Sequence, residues 1–132
     1  MDSYEDFLAT KRIVAVPTGI STTQPIHSGL FDFQAAVVRW ALRRGRAAIF
    51  ADTGMGKTRM QVEWAHHVQA YAGGKVLIVA PLMVSVQTVA EAVKIGVEIL
   101  PVTHEAAHDG IYITNYERLD NFDLARHSAI VL

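Results

Sequence analysis

The segment Ala51-Asp52-Thr53-Gly54-Met55-Gly56-Lys57-Thr58 restricts the folds open to this chain more than any other. An apolar run over residues 47–51 leads into it. A helical pattern from Lys57 to about Tyr71, closed by Gly73 and Gly74, leads out of it. Strand, glycine-containing turn and helix in that order form the first half of a βαβ unit, which calls for a parallel sheet. Gly54 and Gly56 permit positive φ and close approach of other atoms to the main chain.

The segment fits the pattern G-x-x-x-x-G-K-[ST], except that Ala51 stands where the first glycine would be. Main-chain N–H groups at the start of a helix point outward, and the helix dipole there favours negative charge. Such a turn cradles phosphates, with Thr53, Gly54, Met55 and Gly56 forming the loop. Lys57 reaches the β- and γ-phosphates, and the Thr58 hydroxyl ligates Mg²⁺. A glycine turn before an ordinary helix is the bland alternative, and the flanking strand, the Lys-Thr pair and the helix all weigh against it.

The rest of the chain continues the alternation. Residues 12–16 form a short strand, and residues 17–29 a loop rich in Pro, Thr, Ser, Gly and Gln. A helix begins near Phe31, with Phe33, Val37, Trp40 and Ala41 as its apolar stripe and Arg43, Arg44 and Gly45 at its end. Arg43, Arg44 and Arg46 are basic enough to touch a phosphate backbone, but their place at a helix end favours capping. Residues 75–80 (KVLIVA) form a strand covered on both faces. A helix over 84–94, a strand over 97–102, a strand over 111–114, a helical turn over 115–119 and a strand over 128–132 follow. The expected fold class is α/β, a mostly parallel sheet flanked by helices.

Four segments in this order resemble the motifs of superfamily-2 helicases, and of the Swi/Snf-like DNA translocases among them. The phosphate loop with its leading alanine resembles motif I. Leu30-Phe31-Asp32-Phe33-Gln34 looks like the glutamine motif, which implies that Phe31 and Gln34 recognise adenine. A carboxamide carries both a donor and an acceptor and matches the adenine N6/N7 edge; an exposed helix glutamine is the alternative. Residues 76–82 (VLIVAPL) resemble motif Ia, and residues 111–119 (IYITNYERL) an Ib-type segment. These imply nucleic-acid contacts at Pro81, Leu82 and Thr114, the partner being double-stranded DNA.

The resemblance implies a P-loop NTPase with a RecA-like lobe, the cofactors ATP and Mg²⁺, and Lys57 as the catalytic lysine. It divides the chain into a leading strand and loop over 1–29 and a partial lobe over 30–132. In this family the strand resembling 129–132 runs into the acidic pair of motif II. The expectation is therefore an N-terminal fragment of a DNA-dependent ATPase, itself inactive and lacking the remainder of the helicase core. The competing expectation is a non-catalytic nucleotide- or helicase-binding module complete at 132 residues. Another P-loop class, a kinase or GTPase, is a third.

His104-Glu105-Ala106-Ala107-His108 spells H-E-x-x-H, which binds Zn²⁺ when both histidines share a helix face. Between strands ending near Val102 and starting at Ile111 there is little room for that helix, so a surface loop is expected instead. His127 is too isolated to complete a site, and His66 and His67 read as helix surface. Hydrophobic residues at 51% and charged residues at 19% exclude a disordered chain, and the absence of cysteine excludes a disulfide framework. A net charge of −1 leaves any nucleic-acid surface to a local patch. With an acidic start and no apolar run long enough for a membrane span, the chain is expected to be cytoplasmic or nucleoid-associated.

Overall fold

Val76, Leu77, Ile78 and Val79 have no polar side-chain atom to expose, and each is at most 1% accessible. They form the centre of β1 (Lys75–Val79). The computed structural model describes residues 18–21, 24–49 and 56–132. Its other elements are α1 (Asp32–Arg44), α2 (Lys57–Ala72), α3 (Leu82–Lys94), β2 (Ile99–Pro101), β3 (Gly110–Thr114) and β4 (Ala129–Val131). Two 3₁₀ helices, Tyr116–Asn121 and Leu124–Arg126, lie between β3 and β4.

Among the described residues the strands make one four-stranded, all-parallel sheet in the order β2-β3-β1-β4. Val76 pairs with Ile111 on one side and Ala129 on the other, and Ile78 with Ile113 and Val131. Alternation along the strands sends these residues to one face, where they join Met60, Val62, Ala65 and Val68 of α2 and Ala92 of α3. Leu77, Val79 and Tyr112 point to the opposite face, under Val102, Ala106, Leu119 and Phe122. The helices thus cover one face, and a loop with short 3₁₀ turns covers the other. No helix among the described residues is long and apolar enough to cross a membrane.

Several boundaries differ from the expected ones. Strand 12–16 lies outside the described residues. Residues 47–49 are not in a strand, and 50 and 51 are outside the described residues. Among the described residues β4 is the edge strand of the sheet. The helix after β1 starts at Leu82, two residues early, because Pro81 serves as its N-cap at φ −55°. The strand expected over 97–102 is reduced to Ile99–Pro101.

The buried stripe of α1 is Gln34, Val38, Ala41 and Leu42, one residue on from the expected stripe. Phe33 and Trp40 are 46% and 41% exposed. The C-terminal end of α1 is clasped by Thr18, Gly19 and Ile20, whose amides donate to the carbonyls of Arg44, Arg43 and Leu42. Only glycine fits at 19, since a Cβ there would lie 1.8 Å from the Leu42 oxygen.

Glu105 ties the loop between β2 and β3 to its surroundings. Its carboxylate accepts from Lys75 Nζ at 2.6 Å and from the Asp123 amide at 2.7 Å, with His127 Nε2 at 3.6 Å. Burial raises the Glu105 pKa, but the Lys75 hydrogen bond, the Asp123 amide and His127 outweigh it, so the net displacement is downward from 4.5. Glu91 is lowered as well, by Arg59 first and Lys94 next. A carboxyl that binds its proton more weakly when folded stabilises fully above its unfolded pKa, and that contribution vanishes as pH falls through the folded value. The unfolding midpoint in denaturant should therefore be flat from pH 7 down to about 5 and fall below that. Glu105→Gln should flatten the acid limb, and an unchanged limb in this variant would rule out the Lys75–Glu105 contact as its source.

Candidate functional site

Gly56 is the N-cap of α2, at φ 74° and ψ 36°. That left-handed conformation costs a residue with a Cβ and suits glycine. Gln34 gives a second reason. A Cβ on Gly56 would lie 2.0 Å from Gln34 Nε2, so the carboxamide occupies the space a side chain would need. The first intrahelical bond runs from the Met60 amide to the Gly56 carbonyl, which leaves the amides of Lys57, Thr58 and Arg59 without a helix carbonyl to donate to. Among the described residues no side-chain cap hydrogen bond closes this end of the 16-residue helix, and its first turn holds no acidic residue. Lys57 is exposed and Thr58 half-buried at the same end. A helix start with a cation and a hydroxyl beside it suits a polyphosphate and its divalent metal.

The Gln34 side chain is 3% exposed, not the exposed helix glutamine of the alternative reading. Its Oε1 accepts from the Phe31 amide at 2.9 Å, so it stands between the start of α1 and the start of α2. Phe31 is 71% exposed and stacks on Phe33, with ring centroids 6.2 Å apart at 13°. An exposed aromatic is thus held one buried glutamine away from Gly56. Thr53, Gly54 and Met55 lie outside the described residues.

This end of α2 adjoins the C-terminal edge of the sheet. Gln61 Nε2 donates to the Leu132 carbonyl, just beyond β4, at 3.3 Å. Crevices beyond the carboxyl ends of parallel strands are where ligands bind in open α/β sheets. Along the same edge a cleft of about 510 Å³ is lined by Leu82 and Ser85 of α3, Thr103 and His104 of the loop, and Thr114, Asn115 and Arg118. Leu82 and Thr114 therefore come together, while Pro81 is exposed beside them as the N-cap of α3. Among the described residues Thr114 Oγ1 and Asn115 Oδ1 are buried without a hydrogen-bond partner. Such orphans cost about 1–3 kcal/mol each unless water or a ligand satisfies them. Asn115 and Arg118 were not singled out from the sequence, although both stand in the segment that resembles the Ib motif.

His104, Glu105 and His108 lie in a loop, not on a helix, so the histidines share no helix face. The glutamate is engaged by Lys75 and Asp123 as described. His127, a distant candidate for a third ligand, has a side chain only 2% exposed and a ring nitrogen 2.9 Å from the Asp123 carbonyl. His67, expected on the surface, is 2% exposed on α2.

The class of molecule these features define is an α/β domain with an all-parallel sheet flanked by helices, an arrangement compatible with a RecA-like lobe. Comparison with protein-family models, with curated proteins and with solved structures gives no match.

Gly56→Ala should cost about 1–3 kcal/mol in denaturant unfolding, from backbone strain together with the clash at Gln34. In a Gln34→Ala background the same change should cost less but not nothing, because only the clash is relieved. Equal costs in the two backgrounds would contradict the contact.

Proposed function

We propose that this chain is the ATP-binding, N-terminal part of the first RecA-like lobe of a superfamily-2, Swi/Snf-like DNA-dependent ATPase, which couples ATP hydrolysis to movement on nucleic acid. One observation carries the reading. Gly56 is left-handed and packed against buried Gln34, at the start of a helix whose first residues are Lys57 and Thr58. The four motif-like segments, in family order, supply the rest.

In this reading the amides that open α2 and Lys57 hold the phosphates, and the Thr58 hydroxyl holds Mg²⁺. When bound, ATP supplies the phosphoryl group whose transfer to water drives the cycle. The protein contributes position and positive charge around that group. Phe31 offers a face for adenine. Gln34 recognises its edge while linking the base side of the site to Gly56. Across the sheet edge, the cleft beside Leu82 receives a phosphate of the DNA backbone. Pro81 shapes its rim, and Thr114, Asn115 and Arg118 offer two orphaned polar groups and a cation. Backbone contacts of this kind position a protein on DNA without reading sequence.

Calorimetric titration with Mg·ATP should give saturable binding that Lys57→Ala weakens by about tenfold or more, a loss of about 1.4 kcal/mol. Affinity unchanged in that variant would refute the phosphate site. Arg118→Ala should weaken double-stranded DNA binding and lower the slope of log K against log salt by about one. A slope equal to that of the wild type would remove Arg118 from the DNA contact.

A further inference from the structure

The middle of α2 buries two polar side chains on its inner face. Glu63 and His67 are each 2% exposed, one helical turn apart, and His67 Nε2 lies 2.7 Å from Glu63 Oε1. Burying a carboxyl group is costly unless hydrogen bonds compensate it. An apolar pair of similar size would serve packing as well or better. The same Oε1 also accepts from the His27 amide at 3.2 Å, from a segment 36 residues away in sequence. The group that packing does not require is thus joined to the main chain of the loop before α1.

That loop is held at a second point by the same helix. Arg59 Nη1 donates to the Gly29 carbonyl at 2.9 Å, while Arg59 Nε is kept in place by Glu91 Oε2 at 2.8 Å. Internal bonds complete the segment. The Gly29 amide donates to His27 Nδ1 at 2.9 Å, the Leu30 amide to the His27 carbonyl at 3.1 Å, and the Phe31 amide to Gln34 at 2.9 Å. Among the described residues, His27, Gly29, Leu30 and Phe31 are therefore each tied, and the ties at His27 and Gly29 that reach furthest along the chain come from the helix that Lys57 and Thr58 open.

We infer that Glu63, oriented by His67, and Arg59 are positioning residues that fix the base-recognising segment to the phosphate-binding helix, so that selectivity for the adenosine part of the ligand depends on them. This rests on the ATP site proposed above. It adds that the distance between Phe31 and Lys57 is set by side chains on α2 that touch neither base nor phosphate. Tripolyphosphate, which has no base, needs only the helix start, whereas ATP needs both parts in register.

The test compares Mg·ATP and Mg·tripolyphosphate affinities of the full chain and its variants by calorimetry, together with amide hydrogen exchange at His27. In the wild type, ATP should bind more tightly than tripolyphosphate. Glu63→Met should bring the two affinities to within about twofold, leave that of tripolyphosphate unchanged, and speed His27 exchange by about tenfold. Glu63→Gln, which keeps the acceptor oxygen, should restore the preference for ATP. Arg59 is partly exposed, so Arg59→Met tests the second tie even if Glu63→Met fails to fold; the lost charge weakens both ligands, and ATP should fall severalfold further than tripolyphosphate. A wild-type preference for ATP that survives in Arg59→Met or in folded Glu63→Met, or affinities that fall equally for both ligands, would overturn the inference and leave the ATP site standing. Binding of neither ligand by the wild type would bring down the ATP site as well.

Discussion

β1 pairs on both edges, with β3 and β4, and is buried on both faces. Four successive apolar side chains make that position possible, since any polar one would lie under α2 or under the loop layer on the other side. The rest of the architecture follows from satisfying this strand. Val76 and Ile78 bring α2 and α3 onto one face, and Leu77 and Val79 bring the 102–106 loop and the first 3₁₀ helix onto the other. Because α2 runs into β1 through the Gly73–Gly74 turn, the start of α2 is carried to the far edge of the sheet, beside Leu132. Gly56, Lys57 and Thr58 stand where parallel strands leave a crevice for that reason.

The site has two centres on one edge. At one, the start of α2 meets Gln34 and the segment that ends in exposed Phe31. At the other, Thr114 and Asn115, each with a buried polar atom that has no partner among the described residues, line a cleft beside Leu82 and Ser85 of α3. β1 leads, through Ala80 and the N-cap Pro81, into α3, the helix that lines the cleft.

Much of this was legible in the sequence. KVLIVA announces a doubly covered strand, and a glycine loop followed by Lys-Thr announces the start of α2. The buried side of α1 was misjudged because Phe33 and Trp40 dominate any apolar pattern, while the polar Gln34 conceals the real stripe. Gln34 is buried by a tertiary contact with Gly56, which periodicity within one helix cannot report. His67 was misjudged for the same reason, its partners being Glu63 one turn away and, through Glu63, the remote His27 amide. Of the expected 47–51 strand, residues 47–49 are described and are not in a strand. The Glu105 of the H-E-x-x-H string is held by Lys75, Asp123 and His127, contacts that no local motif contains.

The central claim is that the main-chain amides opening α2 receive a polyphosphate. The most direct measurement is a two-dimensional ¹H–¹⁵N spectrum of the labelled chain titrated with Mg·ATP. The account predicts that the largest shifts fall on the amides of Gly56, Lys57, Thr58 and Arg59 and saturate together. Shifts spread over the surface, or gathered elsewhere while these four amides stay still, would contradict it.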